Sequence, residues 1–398
     1  MLMNERRTLE LMKEEGVDAL LGTTIENTYY LAGLWSVDSY LFPRDSQIYV
    51  LVTAQALNDP IIILPTSNAD CIFECPKEPK HVYPYGNFYR ELVENHELSE
   101  RESKLKEWVI GTVIYADSLS ALEQALRDEG LLESGLAIDE KGFKPSHIDG
   151  LRSHFPKARF LNGSELLTRI RSVKTDDEIR RMKRACLVNE EGIRDAISIA
   201  KEGTMERDMW LAYRESIVRN GGTPIFELIN FDRNTGFGNL YSTEDQLSKG
   251  QHIRFDVGCR VDGYVSDISR IFSYGEPDKR KLDYYTALRK GNEAGIDALR
   301  PGVRASDIFE IVVNTTRNSG IPHYRRHHTG HGIGLEIYEP PLIAPGSDMI
   351  IEKGMTLAIE APYFELGFAG LQIEDIVRVT DDGAEYLSLS SRDLVIFE

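Results

Sequence analysis

No run of apolar residues in this chain of 398 residues approaches the roughly 18–20 that a helix needs to span a bilayer, so no membrane partner is expected. The N-terminal residues 1–7 lead into a charged amphipathic pattern rather than the apolar core of a secretory signal. Cysteine is scarce. Four (Cys71, Cys75, Cys186 and Cys259) in so long a chain fit a reducing cytosol, and a cytoplasmic location is expected. Cys71 and Cys75 have a spacing open to metal, but no second pair accompanies them, so they read as core cysteines. Positive charge is in deficit as well. The 46 Lys+Arg against 64 Asp+Glu leave a net charge of −18, which repels phosphate backbones and argues against a nucleic-acid partner. No internal repeat and no low-complexity tract is present. What remains is a globular composition, 41% hydrophobic and 28% charged, in a chain long for one core; two domains are expected.

The first part alternates short helix and strand patterns. Residues 6–15 read as a helix, and 18–23, 47–53 and 60–65 as strands, the last two so apolar that both faces should be buried. Residues 108–116 (WVIGTVIYA) and 135–139 read as strands too. The pattern predicts a small α/β domain over residues 1–165. A second domain over 166–398 follows. Thr175 with Glu178 three residues on makes a capping box, and Ile179, Met182, Cys186, Ile193 and Ala196 then recur at helical spacing. Further helices are expected over 205–219, 279–299 and 305–318, with Ser306 as a cap of the last. From residue 252 the pattern turns to hairpins, marked by Asp262-Gly263 between two alternating runs.

That turn carries a chemical consequence. With Asp262-Gly263 as the tip, Val261 faces Tyr264 and Asp256 faces Ser269, so Asp267 falls on the same face as Asp256, one diagonal step away. Inward carboxylates among apolar neighbours are costly unless they are paired. Glu360 and Glu374 are symmetric about Gly367, which makes a second pair on one face of a second hairpin; Asp375 then points to the other face. His331 lies in residues 327–335 (HHTGHGIGL). Gly330, Gly332 and Gly334 argue against a helix there, so His331 should sit on a strand or tight loop, with the glycines admitting a substrate backbone. His327 reads as a supporting or substrate-side residue. Four carboxylates and one imidazole suit two divalent ions. Ions about 3.5–4 Å apart activate a shared water, which points to a hydrolase.

These residues resemble the pita-bread metallopeptidases: prolidase, aminopeptidase P, methionine aminopeptidase and the metal-free relative creatinase. The similar stretches are FDVGCRVDGYVSDISRIF (255–272), TGHGIGLEIYEPP (329–341), MTLAIEAPYFELGFAG (355–370) and LQIEDIVRVTDDG (371–383). RSVKTDDEIRRM (171–182) and TIENTYYLAGL (24–34) are similar to the two-domain members. The resemblance implies an α+β protein, with an N-terminal creatinase-like α/β domain before a curved antiparallel sheet wrapped by helices. It implies two ions (Mn, Co, Zn or Fe) held by Asp256, Asp267, His331, Glu360 and Glu374. Asp256 and Glu374 would bridge both, and Glu360 would be the general base for a metal-bridged hydroxide. It also implies a peptide or small amide substrate and a homodimer.

The chain departs from the family where substrate would sit. Two accessory histidines of the family fall at Tyr338 and near Asn239, and two arginines fall at Leu342 and Gln372. Tyr338 can donate to an oxyanion; Asn239 can donate but not shuttle protons. The candidate catalytic residues are therefore Glu360, Tyr338 and His327, and the candidate substrate contacts Asn239, His327 and Gln372. An Xaa-Pro peptidase is expected. The alternatives are a small-molecule C–N hydrolase or lyase on the same fold, and a non-catalytic scaffold.

Overall fold

The computed structural model describes residues 2–43, 45–93 and 97–398. The chain divides into two compact units, Met1–Arg171 and Ser172–Glu398, and residue 165 lies inside the helix Gly163–Ser172.

The first unit is built on a mixed six-stranded sheet. Its strands are β1 (Ala19–Gly22), β2 (Tyr49–Thr53), β3 (Ala56–Pro65), β4 (His81–Tyr85), β5 (Gly135–Ile138) and β6 (Arg159–Asn162), in the order β4-β3-β2-β1-β5-β6. The central strands β1, β2 and β5 are buried throughout, as their unbroken apolar runs require. One expectation fails. Residues 108–116 form no strand: Trp108 and Val109 end the helix Glu100–Val109, and Val113 is exposed. The physical reason lies upstream, where Ser99 and Glu102 form a capping box that starts a helix and carries it into the apolar run.

The second unit holds a nine-stranded sheet. Its strands are β7 (Thr223–Phe231), β8 (His252–Val261), β9 (Tyr264–Tyr274), β10 (Gly330–Gly332), β11 (Glu339–Leu342) and β12 (Thr356–Glu360). A small ribbon, β13 (Tyr363–Glu365) with β14 (Ala369–Leu371), interrupts the series before β15 (Glu374–Val379), β16 (Ala384–Tyr386) and β17 (Val395–Phe397). The order is β11-β10-β12-β15-β9-β8-β7, with β16 on β15 and β17 on β9. Every pairing is antiparallel except that of β17 with β9.

Helices cover the back of this sheet. Thr175 and Glu178 cap the helix Asp176–Ser198, which buries Ile179, Met182, Cys186, Ile193 and Ala196. It packs on β8 and β9. There Asn189 donates to Val257 O at 2.9 Å and to Ser266 Oγ at 3.1 Å. Alternation therefore sends Phe255, Val257 and Cys259 toward the helix and leaves Arg254, Asp256 and Gly258 on the opposite face. The helices Lys279–Asp297 and Ala305–Asn318 pack together over the other half of the sheet. Arg304, not Ser306, precedes the second of them as its cap residue, and no side chain closes that end. Strand β7 was not foreseen, because Pro224 and Glu227 break its apolar pattern. It matters here because it brings Phe226 and Leu228 to the site face.

Candidate metal centre

Two turns set the register of the site. Asp262 and Gly263 both adopt positive φ, 49° and 84°, the requirement of a two-residue hairpin turn that follows the strand twist. Val261 accordingly pairs with Tyr264, Asp256 with Ser269 and Gly258 with Asp267. Gly367, at φ 83°, turns the second hairpin, and Glu360 pairs with Glu374. Asp375 points the other way and meets Arg270 in a buried ion pair of 2.6 Å. His331 is on strand β10 and pairs with Ala358 of β12, which places it on the Glu360 face.

The five acidic and imidazole groups come from five strands adjacent in the sheet: β10, β12, β15, β9 and β8. His331 Nε2 is 3.8 Å from both Asp267 Oδ2 and Glu374 Oε1. Ligand atoms of these three residues lie within 4.8 Å of one another. Asp267 Oδ1, His331 Nε2 and Glu374 Oε1 are buried and have no hydrogen-bond partner. His331 Nδ1 lies 3.0 Å from Gly332 O, so the proton assigned to Nδ1 turns the Nε2 lone pair toward the carboxylates. Two carboxylates and a lone pair facing one another without a donor is an arrangement that a cation completes. The residues present fit divalent metal.

Electrostatics point the same way. Burial, reinforced by the neighbouring carboxylates, pushes the Asp267 and Glu374 carboxyls well above the ordinary range. Burial lifts Asp256 to about 6 against the opposing charge of Arg254. Glu360 moves the other way. Burial acts to raise it, but the imidazole of His328, with Nδ1 3.0 Å from Oε1, holds it low, aided by His331 and Arg326. Burial lowers His331, which keeps it neutral as a ligand must be.

A cavity of about 690 Å³ opens onto these groups. Asp256, Asp267, Glu360 and Glu374 line it, together with Asn239, His327, Tyr338 and Gln372. His331 lies beneath the ring of Tyr338, stacked at 3.8 Å between centroids. Tyr338 thus covers the His331 imidazole. His327 is exposed and touches His328 edge-on at 4.3 Å. Leu342 pairs with His331 across β10 and β11. Gln372 has its amide committed to the carboxylates: Nε2 donates to Glu374 Oε2 at 3.3 Å and Glu360 Oε2 at 3.5 Å, while Oε1 accepts from Arg254 Nη1 at 3.4 Å.

The glycines of the histidine motif have a different purpose from the one expected. A Cβ on Gly330 would stand 2.3 Å from Ala358 O, and one on Gly332 2.4 Å from Pro340 O. They admit the chain's own neighbouring strands, not a substrate backbone. His328, Arg254 and Arg326 were not singled out from sequence. The double histidine His327-His328 was the available signal for one of them. Arg254 offered only its place on the Asp256 face, and Arg326 only its nearness to the motif.

Residues 180–381, just over half of the chain, match the model of metallopeptidase family M24, and residues 6–173 match the creatinase/prolidase N-terminal domain. The chain belongs to metallopeptidase family M24. It is a metallopeptidase-type hydrolase of two domains, and M24 metallopeptidases use divalent metal, for which Asp267, His331 and Glu374 offer a cluster of candidate ligand atoms. An Xaa-Pro dipeptidase of Lactobacillus helveticus is 29% identical over 306 residues, covering 75% of this chain and 83% of its own. A putative dipeptidase of Bacillus subtilis is 26% identical over 393 residues, covering 98% and 99%. A dipeptidase from Pyrococcus horikoshii OT3 shares the M24 fold, with a TM-score of 0.78 at 23% identity over 99% of this chain and 100% of its own. Among the described residues no helix is long and apolar enough to cross a membrane.

Proposed function

We propose that this M24 enzyme is an Xaa-Pro peptidase that holds two divalent ions of the Mn, Co, Zn or Fe type through Asp256, Asp267, His331, Glu360 and Glu374. The observation that carries this is the convergence of three buried, partnerless ligand atoms, with two further carboxylates on the same face. Relatives named as Xaa-Pro dipeptidase supply the substrate class. Bound ions supply Lewis acidity and an activated water. The chain's own groups do the rest. Glu360 accepts the water's proton, with His328 beside Oε1. Gln372 holds Glu360 and Glu374 in place through its amide. Tyr338 donates its hydroxyl to the developing oxyanion, and Asn239 and His327 contact the substrate across the cavity. A cytoplasmic homodimer is part of this reading, supported by the family resemblance and four free cysteines. Light scattering that reads one chain mass would remove the dimer.

The deciding experiment is a library of Xaa-Pro peptides incubated with metal-reconstituted protein. Release of the N-terminal residue with Mn or Co is expected. A library left intact by protein that has bound its metals transfers the case to the second reading, a small-molecule C–N hydrolase or lyase. The absence of histidine at Asn239 and Tyr338 is what favours that alternative. Tyr338→Phe keeps the ring on His331 and deletes only the hydroxyl, so kcat should fall by roughly 10²-fold with metal content unchanged. An unaltered kcat/KM would end the oxyanion role.

A further inference from the structure

Two guanidinium groups flank the ring of Phe364 on the cavity side of the sheet. Arg254 Cζ is 5.1 Å from the ring centroid and Arg326 Cζ 5.7 Å. They differ in what they hold. Arg254 is buried and spends both terminal nitrogens on the protein, Nη1 on Gln372 Oε1 at 3.4 Å and Nη2 on Gly238 O, with only its Nε left without a partner. It thereby braces the glutamine that holds Glu360 and Glu374. Arg326 lines the cavity itself, and its Nε is buried with no hydrogen-bond partner. Among the described residues it forms neither an ion pair nor a hydrogen bond.

An arginine with its donors unspent, facing a cavity, calls for an anion. Glu360 is its electrostatic neighbour, but not within salt-bridge reach. Two divalent ions would neutralise the four carboxylates by themselves, so the metal set leaves the Arg326 charge over. Arg326 also lies outside the two positions, Leu342 and Gln372, where the resemblance places arginines. The planar fork of a guanidinium matches a carboxylate at two points, and the Phe364 face beside it supports a flat cation.

Resting on the peptidase reading above, we propose that Arg326 binds the free C-terminal carboxylate of a short peptide substrate and so sets the enzyme's preference for dipeptide acids. The test compares metal-reconstituted wild type, Arg326→Gln and Arg326→Lys on Xaa-Pro dipeptides and on the same peptides ended as carboxamides. Wild type should favour the acids by roughly 10- to 100-fold in kcat/KM, the range of a charge-assisted hydrogen-bond pair, with the difference in KM. Arg326→Gln should bring the acid-to-amide ratio close to one at unchanged metal content, and Arg326→Lys should keep part of it. A wild type blind to the terminal group, or an Arg326→Gln variant that keeps the preference, overturns the proposal. Loss of metal from Arg326→Gln also overturns it, because it assigns the arginine to the carboxylate cluster. If no peptide is cleaved at all, the peptidase reading fails, and calorimetry with the same acids and amides still decides the carboxylate site. Tighter binding of the acid that disappears in Arg326→Gln supports it, and equal binding of both refutes it.

Discussion

Asp267→Ala is expected to yield a folded protein that no longer retains its full complement of metal and has lost at least about 10³-fold in kcat/KM. The size follows from the several kcal/mol of transition-state charge stabilisation that a metal centre supplies, about 4 kcal/mol corresponding to that factor. Folding should survive for an electrostatic reason. In the metal-free protein Asp267 is a buried carboxylate facing Asp256, Glu360 and Glu374, and its removal relieves repulsion. Chelated Asp267→Ala should therefore melt at or above the temperature of chelated wild type, whereas added metal should raise only the wild type strongly. Elemental analysis and thermal melts with and without metal read both halves. A variant with unchanged metal content, or with wild-type turnover, would remove Asp267 from the centre.

Gly330→Ala should be severely damaging for a single added methyl. The backbone there has φ 147°, and the added Cβ would lie 2.3 Å from Ala358 O and 3.2 Å from Ile359 Cα. Both obstacles are main chain of β12, so neither can swing aside as a flexible side chain would. Gly330 pairs with Ile359, the residue before Glu360, so any relief moves a proposed ligand. A loss of roughly 3–5 kcal/mol is expected, which is a fall in Tm of about 10 °C or an insoluble product. Gly346→Ala is the control. Its φ of 72° carries the ordinary left-handed penalty of about 1 kcal/mol, but nothing lies within 4 Å of the new Cβ. Denaturant titration of the pair separates steric collision from backbone strain. Equal losses in the two variants would mean that β10 is not held as tightly against β12 as its pairing implies.

Much of the site could be read before any fold was known, because its parts obey local rules. Asp-Gly between alternating runs sets a hairpin register, and that register alone puts Asp256 and Asp267 on one face. Symmetry about Gly367 does the same for Glu360 and Glu374, even though the small ribbon of β13 and β14 sits between them and the turn. The failures are of another kind. An apolar run such as WVIGTVIYA has no periodicity that separates a strand from the end of a helix, and the cap that decides the matter lies nine residues before its first residue, at Ser99. The local sequence does not show what the glycines beside His331 lie against, because β11 and β12 are remote in sequence.

Residue type, turn chemistry and two-residue alternation were enough for the identity of the proposed ligands and for both carboxylate pairs. The meeting of His331 with Asp267 was beyond their reach. Those residues sit on β10 and β9, three strand intervals apart, about 14 Å in a flat sheet, yet the imidazole and carboxylate stand 3.8 Å from each other. Curl of the sheet and the inward reach of the side chains close that gap, and curl accumulates from the twist between successive strands of the whole sheet, not within any one hairpin. The same holds for the two arginines beside Phe364. Their chemistry is plain in the sequence, but which one is spent on Gln372 and which is left facing the cavity depends on contacts between strands far apart in the chain.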